Sequence, residues 1–87
     1  MLVFAKRMWR KYALPNTVIR QLRANDYTSA EISGFQLWSL RVSGEESLKA
    51  KNLCRRVERK LNNALRLNAT THRDENNKLI GVTLTLG

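Results

Sequence analysis

At about residue 65 the apolar residues change their period, and this change constrains the fold more than any other feature. Upstream, in "LKAKNLCRRVERKLNNAL", Ala50, Leu53, Cys54, Val57, Leu61, Ala64 and Leu65 recur at three- and four-residue intervals. At about 100° per residue they form one stripe roughly 120° wide, the width of a helix packed on a core. Downstream, in "LRLNATTHRDENNKLIGVTLTLG", Leu65, Leu67 and Ala69 alternate with polar residues, and Ile80, Val82, Leu84 and Leu86 do the same. Thr70, Thr71, Thr83 and Thr85 add strand propensity, and the polar run "RDENNK" separates the two stretches. The pattern predicts a helix followed by a hairpin with one buried face, its strands near 66–73 and 78–86. The fold class is therefore α+β, mainly helical.

The chain has 87 residues, enough for one small domain. Sixteen Lys and Arg face seven acids, a net charge of +9, which points to a polyanionic partner. One cysteine, Cys54, allows no internal disulfide, which suits a reducing compartment. No apolar run reaches the length of a membrane span. The start, "MLVFAKRMWRK", is too short in apolar residues for a secretory leader. The expected location is the cytoplasm.

The long helix is expected from about 44 or 47 to 64. Ser43 and Glu46 make a capping-box pattern at its start. Its outer side centres on Asn52 and Arg59, flanked by Arg55, Arg56, Asn62 and Asn63. Arginine matches guanine N7 and O6, and asparagine matches adenine N7 and N6. Only Glu58 is at hand to pair these cations, so a nucleic-acid surface is favoured over an ordinary solvated face.

Earlier in the chain, "LPNTVIRQLRAND" reads as a first helix begun by Pro15 or Asn16, with Val18, Ile19 and Leu22 inward. In "YTSAEISGF", Thr28 and Glu31 form a second capping-box pattern, which predicts a short helix over 28–34. The stretch 35–43 reads as a packed connection with Phe35, Leu37 and Trp38 in the core. Residues 1–14 stand apart as a basic amphipathic segment. Phe4, Ala5, Met8, Trp9 and Tyr12 fall on one side of it, and Lys6, Arg7, Arg10 and Lys11 on the other. It reads as an extra helix packed on the domain of residues 15–87, as a phosphate-binding or dimer-forming arm, or as an interfacial anchor.

This order of elements resembles the winged helix-turn-helix superfamily of DNA-binding domains. The resemblance covers roughly residues 15–86. It rests on "TSAEIS" as the first helix of the helix-turn-helix, "SLKAKNLCRRVERKLNNA" as the recognition helix and "HRDENNK" as the wing. It implies that Lys49, Asn52, Arg55, Arg56 and Arg59 face the major groove and its flanking phosphates, and Asn63, on the same outer side of the helix, joins the candidate set. It implies that Arg73 and Lys78 flank the hairpin tip, where a wing touches the backbone or the minor groove. Lys6 and Arg10 join the set as contacts of the N-terminal segment. Asn76 and Asn77 read more simply as turn residues.

Catalytic and metal chemistry is not written in this chain. His72 and Cys54 are the only histidine and cysteine, and no CxxC, HExxH or glycine-rich phosphate loop occurs. No cofactor and no enzymatic activity are expected. The leading expectation is a small DNA-binding regulator of transcription, of phage or plasmid type by its size, with a homodimer in keeping with that class. An RNA-binding or ribosome-associated protein is the alternative. A third is a small inhibitor that docks on an acidic surface of another protein.

Overall fold

The computed structural model describes residues 2–87, with side chains from Phe4 onward. It is an α+β fold, about half helical, with a three-stranded antiparallel sheet. The first helical run comprises α1 (Leu2–Met8), a π-helical turn (Trp9–Ala13) and α2 (Leu14–Ala24). β1 (Ser29–Ile32), a 3-10 helix (Gly34–Leu40), α3 (Glu46–Lys60), β2 (Leu67–Arg73) and β3 (Leu79–Leu86) follow.

The backbone stays right-handed helical through Met8, Ala13 and Leu14, so the helical run passes across the point between residues 14 and 15 without a break. Lys6, Arg10, Leu14, Val18 and Leu22 are spaced by four. A uniform α-helix drifts about 40° at each such step, about 160° over the series. The wider π turn takes up part of that drift. The last three of these residues are buried, while Lys6 and Arg10 donate to backbone carbonyls of the 3-10 helix and the residue after it.

The period change near residue 65 is realised as expected in the hairpin, and less so at the end of the helix. α3 stops at Lys60, not at residue 64, because Asn62 and Asn63 adopt left-handed conformations (φ 56° and 58°). Asparagine tolerates that region better than most residues. Ala50, Leu53, Cys54 and Val57 are buried as the stripe requires, and Leu61 packs partly against the core. Ala64 is exposed and lies beyond the helix. The expected capping box is also not formed, since Glu45 is the N-cap and no side chain caps it.

The segment expected as a short helix over 28–34 is instead strand β1. Ala30 and Ile32 alternate inward with exposed Glu31, which is a strand period. Ile32 pairs with Val82 and Ala30 with Leu84, in a sheet of order β1-β3-β2. The open edge of β1 is bracketed by Gln21, whose side chain donates to the Glu31 carbonyl (2.6 Å) and accepts from the Glu31 N–H (3.0 Å). Thr28 does not cap a helix; its hydroxyl donates to the Asn25 carbonyl. The short helix lies further on, over Gly34–Leu40, with Leu37 and Leu40 buried and Trp38 half-buried. Phe35, expected in the core, is 77% exposed.

In the hairpin, Leu67, Leu79, Val82 and Leu84 face the core. Ile80 and Leu86, both expected inward, are exposed, Leu86 at the end of β3. A bulge opposite His72 and Arg73 pairs Leu79 with Arg73 and Gly81 with His72, and Ile80 is the unpaired extra residue. Leu79 takes its place inside.

Candidate nucleic-acid interface

α3 lies with its apolar stripe on the sheet and α2, and its two polar flanks meet different neighbours. Toward β2, Arg55 and Glu58 form an ion pair (2.5 Å). The nearly buried Glu58 carboxylate also accepts the Leu67 N–H at 2.8 Å, and Arg55 reaches the Leu67 carbonyl at 3.4 Å. The Leu67 hydrogen bond and then Arg55 hold Glu58 below the usual carboxyl range, against the opposing effect of burial. Arg55 is thus part of the joint between α3 and the sheet as well as a cation on the surface.

Toward the N-terminal run the arrangement is different. Lys49, Asn52 and Arg56 of α3 face Arg7, Arg10 and Lys11 across a cleft of about 190 Å³, with Leu53 also in its lining. Five cations from two helices line this cleft, and no carboxylate does. Burial first, and then the neighbouring Arg7 charge, lower the Arg10 pKa below its ordinary value, with Glu45 acting in the opposite sense. Arg10 donates to the Ser39 carbonyl (2.6 Å) and Lys6 to the Arg41 carbonyl (2.8 Å), which ties the run to the 3-10 helix and its exit. The Trp9 and Trp38 rings meet edge to face at 6.3 Å, and Lys6 lies 6.0 Å from the Trp38 ring centre. A second cleft, lined among others by Lys6, Arg10, Arg41 and Lys49, also includes Glu45.

The residues singled out in the sequence therefore separate. Lys49, Asn52 and Arg56 meet Arg10 in the first cleft, and Arg7 and Lys11 join them there. Arg59 is exposed on the outer side of α3. Asn63 is exposed but sits in the left-handed turn beyond α3, off the helical face where it was placed. Arg73 pairs with Glu46 (3.2 Å) and so ties the hairpin to the first turn of α3. Lys78 is exposed beside the hairpin tip, where the Asp74 carboxylate accepts the N–H groups of Asn76 and Lys78. Asn77 has φ 63°, the turn role read for it.

The partnership of Arg7 and Lys11 with α3 was not visible in the sequence. The available signal was the three- and four-residue spacing of Arg10 and Lys11 from Arg7, which matches that of Lys49, Asn52, Leu53 and Arg56 on the facing helix. A further departure concerns the aromatics. Trp9 and Tyr12, gathered on an apolar side in the sequence, are 39% and 50% exposed. His72 is exposed and hydrogen-bonded to the Thr83 hydroxyl at 2.7 Å.

Cys54 is buried, and burial pushes its thiol pKa up to about 11. Among the described residues no cluster of three or more His, Cys, Asp or Glu is placed to hold a metal ion, and no helix is long and apolar enough to cross a membrane. The chain matches no family model, no curated protein and no solved structure with which it was compared.

Proposed function

We propose that this protein is a small basic DNA-binding protein, a transcriptional regulator, that lays α3 against duplex DNA and touches the flanking backbone with the hairpin tip. The observation that carries this reading is the cleft in which α3 and the N-terminal run bring five cations together without a carboxylate. Like charges so gathered repel one another and are neutralised by a polyanion. Asn52 and Arg59 on the exposed side of α3 supply the side-chain types that read adenine and guanine edges.

The order of elements supports a winged helix-turn-helix arrangement. A helix, a strand, a short helix, the basic α3 and a hairpin follow one another, and the first strand pairs with the last. Placing the short helix at 34–40 leaves only residues 41–45 as the link to α3. In this reading the hairpin tip, with Lys78 beside it, serves as the wing.

A second reading has its own observation. Phe4, Trp9, Tyr12 and Phe35 are 65%, 39%, 50% and 77% exposed, and exposed aromatic rings are stacking platforms for single-stranded RNA or DNA. Titrations of the protein against random duplex DNA, tRNA and single strands, each at two salt concentrations, separate the two. The duplex reading expects binding to duplex at low salt that weakens steeply as salt rises. Preference for single strands, together with loss of affinity in Trp9→Ala, would move the function to the aromatic side. Failure to bind any nucleic acid at low salt would leave docking on an acidic protein surface as the reading to pursue.

A further inference from the structure

The cationic cleft has a geometry of its own, separate from the outer side of α3. Arg7 and Lys11 come from the N-terminal run and Lys49 and Arg56 from α3, while Arg10 belongs to both the cleft and the joint with the Ser39 carbonyl. Asn52 adds an amide that donates hydrogen bonds to an oxyanion. Among the described residues, no ion pair involves Arg7, Lys11, Lys49 or Arg56. Two cationic helix faces are thus held opposite each other, and the polar contacts that hold α1 and the π turn to the rest of the domain are few. Among the described residues, the side-chain hydrogen bonds from this run to the 3-10 helix and the residue after it are those of Lys6 and Arg10, supported by the Trp9–Trp38 edge contact. Without an anion these contacts stand against like-charge repulsion, whereas an anion between the two faces offsets that repulsion.

We propose that this cleft is a phosphate site that takes one phosphate group between the N-terminal run and α3, and that its occupancy fastens the N-terminal run to the domain. Arginine suits the role because its fork donates two parallel hydrogen bonds to phosphate oxygens, and two lysines add compact charge. The chemistry is that of a phosphate oxyanion, whether from a nucleic-acid backbone or free in solution. The proposal deepens the nucleic-acid reading and rests on it for the first of these sources.

The test uses the full chain and inorganic phosphate. Thermal melts are recorded in phosphate and in chloride at equal pH and ionic strength. A ligand that binds only the folded state raises the melting temperature in a saturable way, by roughly 5 °C or more at about tenfold excess over its Kd for a domain of this size. The expected result is such a rise for the parent, its loss in Arg7→Ala/Lys11→Ala, and its retention in the control Arg20→Ala/Arg23→Ala, which removes equal charge from α2. In chloride the Arg7→Ala/Lys11→Ala protein should melt no lower than the parent, because it loses repulsion and no hydrogen bond.

A second arm measures duplex DNA affinity against salt. If the phosphate comes from a DNA backbone, Arg7→Ala/Lys11→Ala lowers the salt slope by about one unit or more. An unchanged slope with the phosphate-dependent rise intact assigns the cleft to free phosphate. Equal melting in phosphate and chloride, with duplex binding that still depends on Arg59, would overturn the phosphate site and leave the α3 reading standing. Absence of duplex binding at low salt would overturn that parent reading, while the melts judge the cleft alone.

Discussion

The two flanks of α3 carry similar residues and have different fates. On the β2 side, Arg55 is joined to Glu58, and Glu58 holds the first N–H of β2. On the side of the N-terminal run, Arg56 and Lys49 face three more cations and no acid lines the cleft. Arg55 and Arg56 are adjacent, yet that single step turns the side chain by about 100°. A basic residue is structural where the fold supplies an acid within reach and available to a ligand where the fold supplies only like charge. Residue type does not distinguish the two; the neighbour across the helix does.

The largest effect should come from Val57→Asp, which removes the support of both flanks together. Val57 is fully buried, and an unpaired charge there should cost more than about 4 kcal/mol, enough to unfold a domain of this size. Circular dichroism should show loss of the cooperative melt. A native melting temperature would mean that the helix is phased differently and that the two flanks are wrongly assigned.

Glu58→Ala acts on one flank alone. It leaves the buried Leu67 N–H without its acceptor and Arg55 without its partner, and should cost about 2–3 kcal/mol in chemical denaturation. If α3 binds nucleic acid as proposed, the folded fraction should bind duplex DNA no more weakly than the parent. A large loss of affinity in folded protein would erase the contrast between the flanks.

The same carboxyl gives a pH signature. Its pKa is lower in the folded state than in the unfolded chain. Its contribution is therefore complete above the unfolded carboxyl value of about 4.3 and is lost as pH falls through the lower folded value. Stability should decline with acid below about pH 5, and Glu58→Gln should show a shallower decline over that window. Parallel curves would show that Glu58 is not the group responsible.

The smallest effect is chemical. Buried Cys54, with its thiol at about 11, should resist alkylation at pH 8 in the folded protein and react when denaturant opens the core. Ready labelling without denaturant would place Cys54 outside the core, contrary to the packing of both flanks.

How much of this was legible in the sequence can be told from particular residues. The hairpin was readable because strand alternation, threonines and a polar tip all agree locally. The burial of Ala50, Leu53, Cys54 and Val57 was readable for the same reason, through their helical spacing. β1 was not, because "TSAEIS" satisfies a capping-box pattern, while the partner that makes it a strand, β3, lies some fifty residues away. Ile80 misled because a bulge shifts the alternation by one residue, and Phe35 because an apolar residue in a short helix gives no clue to its side. In the candidate site, the α3 cations were visible but their sorting was not. That sorting depends on Glu58 meeting Leu67, and on a π turn that brings Arg7, Arg10 and Lys11 beside α3.

Adjacent arginines on one helix are predicted to differ in kind, so the most direct measurement compares Arg55→Ala with Arg56→Ala for duplex DNA binding as a function of salt. Both variants should remain folded, Arg55→Ala with the lower melting temperature. Arg56→Ala is predicted to weaken binding to all sequences alike and to lower the salt slope by about one unit, as the loss of one phosphate contact requires. Arg55→Ala is predicted to leave the slope close to that of the parent. Equal slopes for Arg56→Ala and the parent, with the loss falling on Arg55→Ala instead, would contradict the assignment and place the binding face on the β2 side of α3.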